Sequence, residues 1–248
     1  MITLRRYKKN HIFKPLVIAL TWPSAWATAS DSGIRRTLGH ILSYPNKAND
    51  ADEIGYTWVN WMVNHKLPVA IASANLPDSK RPKIVMLSHS FGVRLLSRAL
   101  FSSKHLRAEY KSSNSVDLFI GLQGAVSGRR FVMNNGREGS PYAEFNSLPT
   151  RIILTTSKND KANPFAHYVT GASHVGGVQG LQLALKHQKI FDVVEWVKGK
   201  KPFDSSKDKI LMVDASSIVN DKTNVSGHND VLDQEMAELI WSFIADIE

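Results

Sequence analysis

The chain of 248 residues contains no cysteine, so disulfides, thiolate nucleophiles and cysteine-ligated metals are excluded. It has no apolar run near the ~20 residues that a membrane-spanning helix requires. It also has no glycine-rich loop of the Walker or dinucleotide type, and its nine histidines include no H-E-x-x-H or H-x-x-x-H pair. These absences argue against a nucleotide-binding enzyme and a zinc hydrolase, and we expect neither a cofactor nor a metal.

The charge is biased to the basic side, with 31 lysines and arginines against 22 aspartates and glutamates and a formal net charge of +9. Such a balance favours anionic partners, including phospholipid headgroups and nucleic acid. The basic residues are dispersed along the chain, however, and accompany no nucleic-acid-binding motif. We therefore expect a solvated basic surface and no nucleic-acid partner, and we keep peripheral contact with an anionic membrane as an expectation.

The first thirty residues imitate a signal peptide, with a basic start, an apolar stretch and the small residues Ala27-Thr28-Ala29. Lys14-Pro15 interrupts the apolar stretch, and Trp22 and Trp26 suit a packed core better than a cleavage region. These features favour a cytoplasmic protein over an exported one.

A strand, a sharp turn and a helix are predicted around Ser88-His89-Ser90-Phe91-Gly92. An apolar run, residues 83–87, enters this turn, and an amphipathic segment, residues 93–100, leaves it. The pattern is typical of a nucleophile elbow, which holds its serine in a strained conformation beside a helix N-terminus. Ser88 replaces the first glycine of the usual G-x-S-x-G pattern, and we expect small residues at both positions because strand and helix pass close together. The alternative is an ordinary strand-to-helix turn in which Ser90 caps the helix.

Apolar runs alternate with helical periodicity along the rest of the chain, which predicts an α/β fold with a mostly parallel sheet and helices on both faces. We expect one domain over residues 1–248, with a cap or insertion around 161–205. Besides the elbow strand, strands are predicted at 16–20, 116–122, 151–156 and 209–214. Helices are predicted over residues 51–65, where Pro68 then interrupts the pattern, and 232–244.

The residues Ser90, Asp160 and His228 form a candidate catalytic set. Ser90 and Asp160 directly follow predicted strands, and His228 lies in the loop after the last predicted strand. Ligand sites in such sheets lie outside the carboxyl ends of the strands. Their chain order of nucleophile, acid and histidine is that of an α/β-hydrolase. The histidine would take the proton of the serine and return it to the leaving group, while the carboxylate would fix the imidazole tautomer and stabilise its cation.

Four other residues compete for these roles. Asp214 also follows a strand and is an alternative acid, although it is nearer in sequence to His228. We expect His89 to be a packing residue, because the elbow turns its side chain away from the direction of the serine. His167 and His174 fall in the predicted cap, and the sequence places no acidic residue where it would be expected to pair with them.

The sequence resembles bacterial α/β-hydrolase-fold proteins of unassigned function that are related to serine esterases and lipases. Four segments carry this resemblance, which spans nearly the whole chain: Leu20-Thr21-Trp22-Pro23-Ser24-Ala25, Ser88-His89-Ser90-Phe91-Gly92, Ser157-Lys158-Asn159-Asp160-Lys161-Ala162 and Gly227-His228. The resemblance implies that Ser90 is the nucleophile, Asp160 the acid and His228 the base. It implies a small-molecule ester or lipid as the substrate.

The resemblance breaks down at the N-terminus. Proteins of this group carry an earlier strand ending in a His-Gly-Tyr-Asn-like loop, which supplies one oxyanion N–H, and the comparison places Met1 in the helix that follows that loop. The N–H of Phe91 is the expected first donor, and a backbone N–H near Trp22 is a substitute for the second. Loss of one such donor costs about 3 to 4 kcal/mol of transition-state stabilisation. A slow hydrolase, a fragment with an upstream start and a form without activity all remain open.

The leading hypothesis is therefore a serine hydrolase of carboxylic esters that acts through an acyl-enzyme on Ser90. Its alternative is a non-catalytic or weakly active binding protein with an α/β-hydrolase fold. A third hypothesis, an enzyme that works on lipid surfaces, rests on the net charge of +9.

Overall fold

The computed structural model describes residues 15–21, 33–106, 116–132, 142, 148–163, 167, 171–199, 210–220, 227–228 and 230–247. The contacts between residues divide the chain into two compact units, residues 1–40 and 41–248. Helix α1, Gly33–Ile54, begins in the first unit and ends in the second. The second unit holds every strand of the described sheet. Within the described ranges, no helix has the length and apolar character needed to cross a membrane.

The strand predicted at residues 16–20 is not formed. Residues 15–21 have no regular secondary structure, and the side chains of Leu16, Val17 and Ile18 are 89%, 78% and 57% exposed. A continuous apolar run becomes a buried strand only where neighbouring strands satisfy its N–H and C=O groups. No described strand pairs with these residues, so their composition alone does not place them in the sheet.

The second unit is built on a sheet of five parallel strands: β1 Ile84–His89, β2 Val116–Leu122, β3 Arg151–Thr156, β4 Phe191–Glu195 and β5 Ile210–Asp214. The strands lie in the order β1-β2-β3-β5-β4, so β1 and β4 are the edges of the described sheet. The last pairs of β1 with β2 and of β3 with β5 are His89 with Leu122 and Thr156 with Asp214. The carboxyl ends of all five strands therefore share one edge of the sheet, as the alternation of elements predicts.

Helices cover both faces of this sheet, which confirms the predicted α/β class. On one face, helix α5, Gln234–Ile244, packs its buried side chains with Leu118, Ile120 and Leu211 of the strands. On the other face lies helix α3, Phe91–Leu100. A Cβ at Gly121 would lie 2.7 Å from Val93 Cγ1 of α3, so the absence of a side chain there lets helix and strand approach closely.

The predicted helix over residues 51–65 is confirmed, but the helical region is longer than the prediction. After α1 come two π-helical segments, Gly55–Val59 and Met62–Lys66, and then helix α2, Leu67–Ser73. Pro68 lies in the first turn of α2, where its missing N–H leaves no intrahelical bond unmade, so it does not end the helical region.

The range predicted as a cap contains two elements that belong to the sheet layers. Helix α4, Val178–Lys186, contacts β3, β4 and β5. Strand β4 was not predicted, because its short Phe-Asp-Val-Val-Glu pattern follows the helical repeat without a strong turn signal. It pairs with β5 from Phe191–Ile210 to Glu195–Asp214 and closes one edge of the sheet.

An arginine cluster, here meaning Arg94, Arg98 and Arg130 around Asp52, joins the helical region to α3 and to the segment after β2. Arg130 has no exposed surface and donates two hydrogen bonds to Asp52, Nη1 to Oδ1 at 3.0 Å and Nη2 to Oδ2 at 2.8 Å. Arg94 Nη2 adds a bond of 2.7 Å, and Arg98 Nε lies 3.4 Å from Oδ1. Burial raises the pKa of Asp52, but the hydrogen bonds and charges of Arg130 and Arg94 outweigh it and lower the pKa to about 2.

Candidate active site

Ser90 lies at the turn between β1 and α3 and has the strained backbone expected of a nucleophile elbow. Its φ and ψ are 56° and −122°, a region that non-glycine residues rarely occupy. Three backbone hydrogen bonds hold it there: its N–H donates to Leu122 O, and its carbonyl accepts from Val93 and Ala125 N–H. Its side chain makes no capping bond to α3, which removes the capping role as an explanation for this serine.

The small residues on either side of Ser90 pack against each other as predicted, but less tightly than expected. A Cβ on Gly92 would lie 3.4 Å from Ser88 Cβ, which is an ordinary van der Waals contact. The tighter approach is at Gly124 after β2, where a Cβ would lie 2.8 Å from Val93 Cγ1. Gly121 in β2 and Gly124 after it therefore allow a closer approach of α3 to the sheet than Gly92 does.

The three predicted catalytic residues meet at the carboxyl edge of the sheet. Ser90 Oγ lies 2.9 Å from His228 Nε2, and His228 Nδ1 lies 2.8 Å from Asp160 Oδ2. Asp160 has no exposed surface, whereas the side chain of His228 is 15% exposed. Residues separated by up to 138 positions in the chain thus form one continuous row of hydrogen bonds, with the serine at its accessible end.

Protonation along this row follows from the chemistry of its ends. A buried carboxylate accepts hydrogen bonds, so Nδ1 of His228 carries the proton that faces Asp160. The neutral imidazole then presents an unprotonated Nε2 to the hydroxyl of Ser90. This is the tautomer that a general base next to a serine requires.

Asp214, the alternative acid, is bound by Ser216 and Lys158. Its Oδ1 accepts hydrogen bonds from the N–H and the hydroxyl of Ser216, and its Oδ2 lies 3.4 Å from Lys158 Nζ. These bonds fix the loops that follow β3 and β5. His167 donates locally, from Nδ1 to Ala172 O at 2.7 Å.

His89 packs against the site, on the ring of His228, and this partner was not predicted from the sequence. Its Nε2 lies 3.0 Å from the carbonyl of His228, and the two imidazole rings have centroids 4.6 Å apart. Burial, followed by the charge of His228, lowers the pKa of His89 to about 4, so the ring is neutral near pH 7 and donates from Nε2. The only sequence signal for this contact is its place directly before the nucleophile.

Comparisons with models of protein families, with curated proteins and with solved structures give no match.

Of the two predicted oxyanion donors, Phe91 and Trp22, the structure describes Phe91. Phe91 is the first residue of α3, so its N–H has no acceptor within the helix and belongs to the positive end of the helix dipole. Trp22 lies outside the described residues. The described site thus brings together a serine hydroxyl, an imidazole, a buried carboxylate and one free helix N-terminal N–H, which are the kinds of groups that acyl transfer uses.

The contacts that Asn163 and His174 make beside Asp160 were not predicted from the sequence. Asn163 Nδ2 lies 2.7 Å from Asp160 Oδ2, and His174 Nδ1 lies 3.2 Å from Asn163 Oδ1. The three-residue spacing from Asp160 to Asn163 is a weak signal, because it suits a turn that folds the amide back on the carboxylate. For His174 the sequence offers no such signal.

Proposed function

We propose that the chain is a serine hydrolase of carboxylic esters that works through an acyl-enzyme on Ser90. The observation that carries this proposal is the unbroken row of hydrogen bonds from Ser90 through His228 to Asp160, on an elbow with strained backbone angles. The resemblance to esterase-like α/β-hydrolase-fold proteins points to the same chemistry. The substrate is a small-molecule ester or a lipid.

In acylation, the oxygen of Ser90 forms a bond to the ester carbonyl carbon while its proton passes to Nε2 of His228. The carbonyl oxygen becomes an oxyanion and accepts a hydrogen bond from Phe91 N–H. The bond from carbon to the alcohol oxygen then breaks, and Nε2 gives its proton to the leaving alcohol. Asp160 keeps its negative charge throughout and stabilises the imidazolium.

In deacylation, water takes the place of the alcohol. His228 Nε2 removes a proton from the water, whose oxygen forms a bond to the acyl carbon. The bond to Ser90 breaks as the proton returns to the serine oxygen, and the carboxylic acid leaves. The buried position of Asp160 supports this cycle, because little solvent competes for its hydrogen bond to the imidazole.

Hydrolysis of p-nitrophenyl acetate and butyrate by the wild type, Ser90→Ala and Ser88→Ala tests the proposal. Ser90→Ala is expected to lower kcat by a factor on the order of 10⁴ or more, as for other members of a catalytic triad. Ser88→Ala is the matched control, because this serine is two residues away and its hydroxyl makes no hydrogen bond within the described residues. Its kcat is expected to stay within about twofold of the wild type, since that hydroxyl stabilises no reacting atom.

Labelling with a fluorophosphonate probe adds a readout that needs no turnover. The wild type and Ser88→Ala should form a covalent adduct, located on Ser90 by peptide mass spectrometry, and Ser90→Ala should form none. Equal ester turnover in all three proteins, or an adduct in none of them, would refute the proposal. The second result would favour the binding-protein alternative.

A further inference from the structure

The carboxylate of Asp160 accepts four hydrogen bonds, of which only one comes from His228. Oδ1 accepts from the backbone N–H of Ala162 at 2.9 Å and of Asn163 at 3.2 Å. Oδ2 accepts from His228 Nδ1 at 2.8 Å and from Asn163 Nδ2 at 2.7 Å. The side chain of Asn163 therefore shares the same carboxylate oxygen as the imidazole and limits the direction in which that oxygen can face.

The amide of Asn163 has one orientation that satisfies its neighbours. Its Nδ2 donates to Asp160 and also lies 3.2 Å from the carbonyl of Gln123, so both hydrogens of this nitrogen face acceptors. A flipped amide would direct Oδ1 at a carboxylate and a carbonyl. In the favourable orientation, Oδ1 faces Nδ1 of His174 at 3.2 Å, and this ring nitrogen must carry a proton.

His174 is itself fixed from its other side. It is 1% exposed, and its Nε2 lies 2.8 Å from the hydroxyl of Tyr44. The backbone of His174 pairs with Ser127 in an antiparallel bridge beyond β2. The ring of Tyr44 also packs on Phe91, with centroids 5.2 Å apart. One tyrosine thus contacts both the histidine and the residue whose N–H faces the oxyanion.

The loop after His174 approaches this chain of side chains too closely for any residue but glycine. A Cβ at Gly176 would lie 2.5 Å from Asn163 Nδ2 and 2.3 Å from the carbonyl carbon of Gln123. The packing therefore leaves Asn163 little room to move away from Asp160.

We propose that Asn163 and His174 are positioning residues for the catalytic acid. Asn163 holds Oδ2 of Asp160 in line with His228 Nδ1, and His174, held by Tyr44, keeps the amide of Asn163 in its donating orientation. We call Asn163, His174 and Tyr44 the positioning chain. The inference rests on the proposed function, because the positioning chain would hold Asp160, the acid of that same site.

Three variants test the positioning chain in ester hydrolysis. Asn163→Leu keeps the approximate shape of the side chain and removes its donor, and it is expected to lower kcat by about 10-fold to 100-fold, as small misplacements of catalytic groups do. His174→Asn keeps a nitrogen donor at the place of Nδ1, whereas His174→Leu has the same size and no donor. We expect His174→Asn to retain most of the wild-type kcat and His174→Leu to lose about 10-fold. KM is expected to stay within about twofold in all three, because Asn163 and His174 are buried, with 2% and 1% of their surface exposed.

An NMR measurement distinguishes failure of this inference from failure of the proposed function. The Nδ1 proton of His228 gives a downfield resonance only while it is held by Asp160. We expect this resonance in the wild type and His174→Asn, and its loss or exchange broadening in Asn163→Leu and His174→Leu, whether or not esters are hydrolysed. The inference is overturned if the resonance persists in all variants, or if His174→Asn and His174→Leu have equal kcat. If Asn163→Leu does not fold, the two His174 variants decide the question.

Discussion

Removal of the charge of Asp52 should destabilise the protein more than removal of any exposed carboxylate. The fall of the Asp52 pKa from its ordinary 3.8 to about 2 corresponds to about 2 kcal/mol of stability at neutral pH, at ~1.36 kcal/mol per pH unit. Asp52→Asn also leaves the fully buried Arg130 without its bidentate anionic partner. Loss of one member of a buried pair costs about 3 to 5 kcal/mol, so we expect a loss in this range at pH 7.

The sign of the pH dependence follows from the lowered pKa. The stabilisation by Asp52 is fully present above the unfolded value of 3.8 and is lost as the pH falls through the folded value of about 2. The difference in unfolding free energy between wild type and Asp52→Asn should therefore be constant from pH 7 to about 5. It should shrink by up to about 2 kcal/mol as the wild-type carboxylate becomes protonated.

Urea denaturation, followed by tryptophan fluorescence at pH 7, 5, 4 and 3, measures this difference. Glu235→Gln is the control, because Glu235 pairs with Lys198 at 2.9 Å on the surface, where the two side chains are 36% and 63% exposed. Such a pair contributes at most about 1 kcal/mol. If Asp52→Asn and Glu235→Gln lower the urea midpoint equally, or if the effect of Asp52→Asn does not change with pH, the reasoning about the arginine cluster is wrong.

Two further predictions concern the surroundings of the site. The ring of His89 should titrate near pH 4 in a proton NMR titration, and because its folded pKa lies below its ordinary 6.5, the stability it confers is present above 6.5 and lost as the pH falls through about 4; a midpoint near 6.5 would contradict this. Gly176→Ala should destabilise the protein by about 1 to 3 kcal/mol, because its Cβ meets main-chain atoms. Gly92→Ala should cost nothing and gain up to about 1 kcal/mol from helix propensity; thermal unfolding of both variants checks the contrast, and an equal loss in both would refute it.

The row of hydrogen bonds from Ser90 through His228 to Asp160 was predictable from the sequence because its three residues obey one topological rule. Ser90 follows β1, Asp160 follows β3, and His228 lies in the loop after β5. In a parallel sheet all three places lie at the carboxyl edge, so chain order and strand prediction together bring the residues close in space. The geometry at Ser90 was predictable for a second reason, since strand, small residues and amphipathic helix follow one another without a break.

The side chains around that row were not predictable, because their contacts depend on distances across the fold. His89 meets the carbonyl of His228, 139 positions away, and Asn163 meets His174, whose backbone pairs with the segment after β2. A periodic pattern indicates which face of a helix or strand is apolar, but it does not predict which distant loop will pack against that element. The same limit explains residues 16–20, whose apolar composition predicts a strand although no described strand pairs with them.

The position of β5 determines when the molecule can be completed during its synthesis. Among the strands of the described sheet, β5 is made last, yet it inserts between β3 and β4, which are both made earlier. Until residues 210–214 have emerged, β4 has no hydrogen-bonded neighbour in the described sheet and β3 presents an open edge, which is the kind of surface that invites pairing with other chains. His228 comes later still, so a nascent chain carries Ser90 before it carries the imidazole that, under the proposed function, would take the proton of that serine.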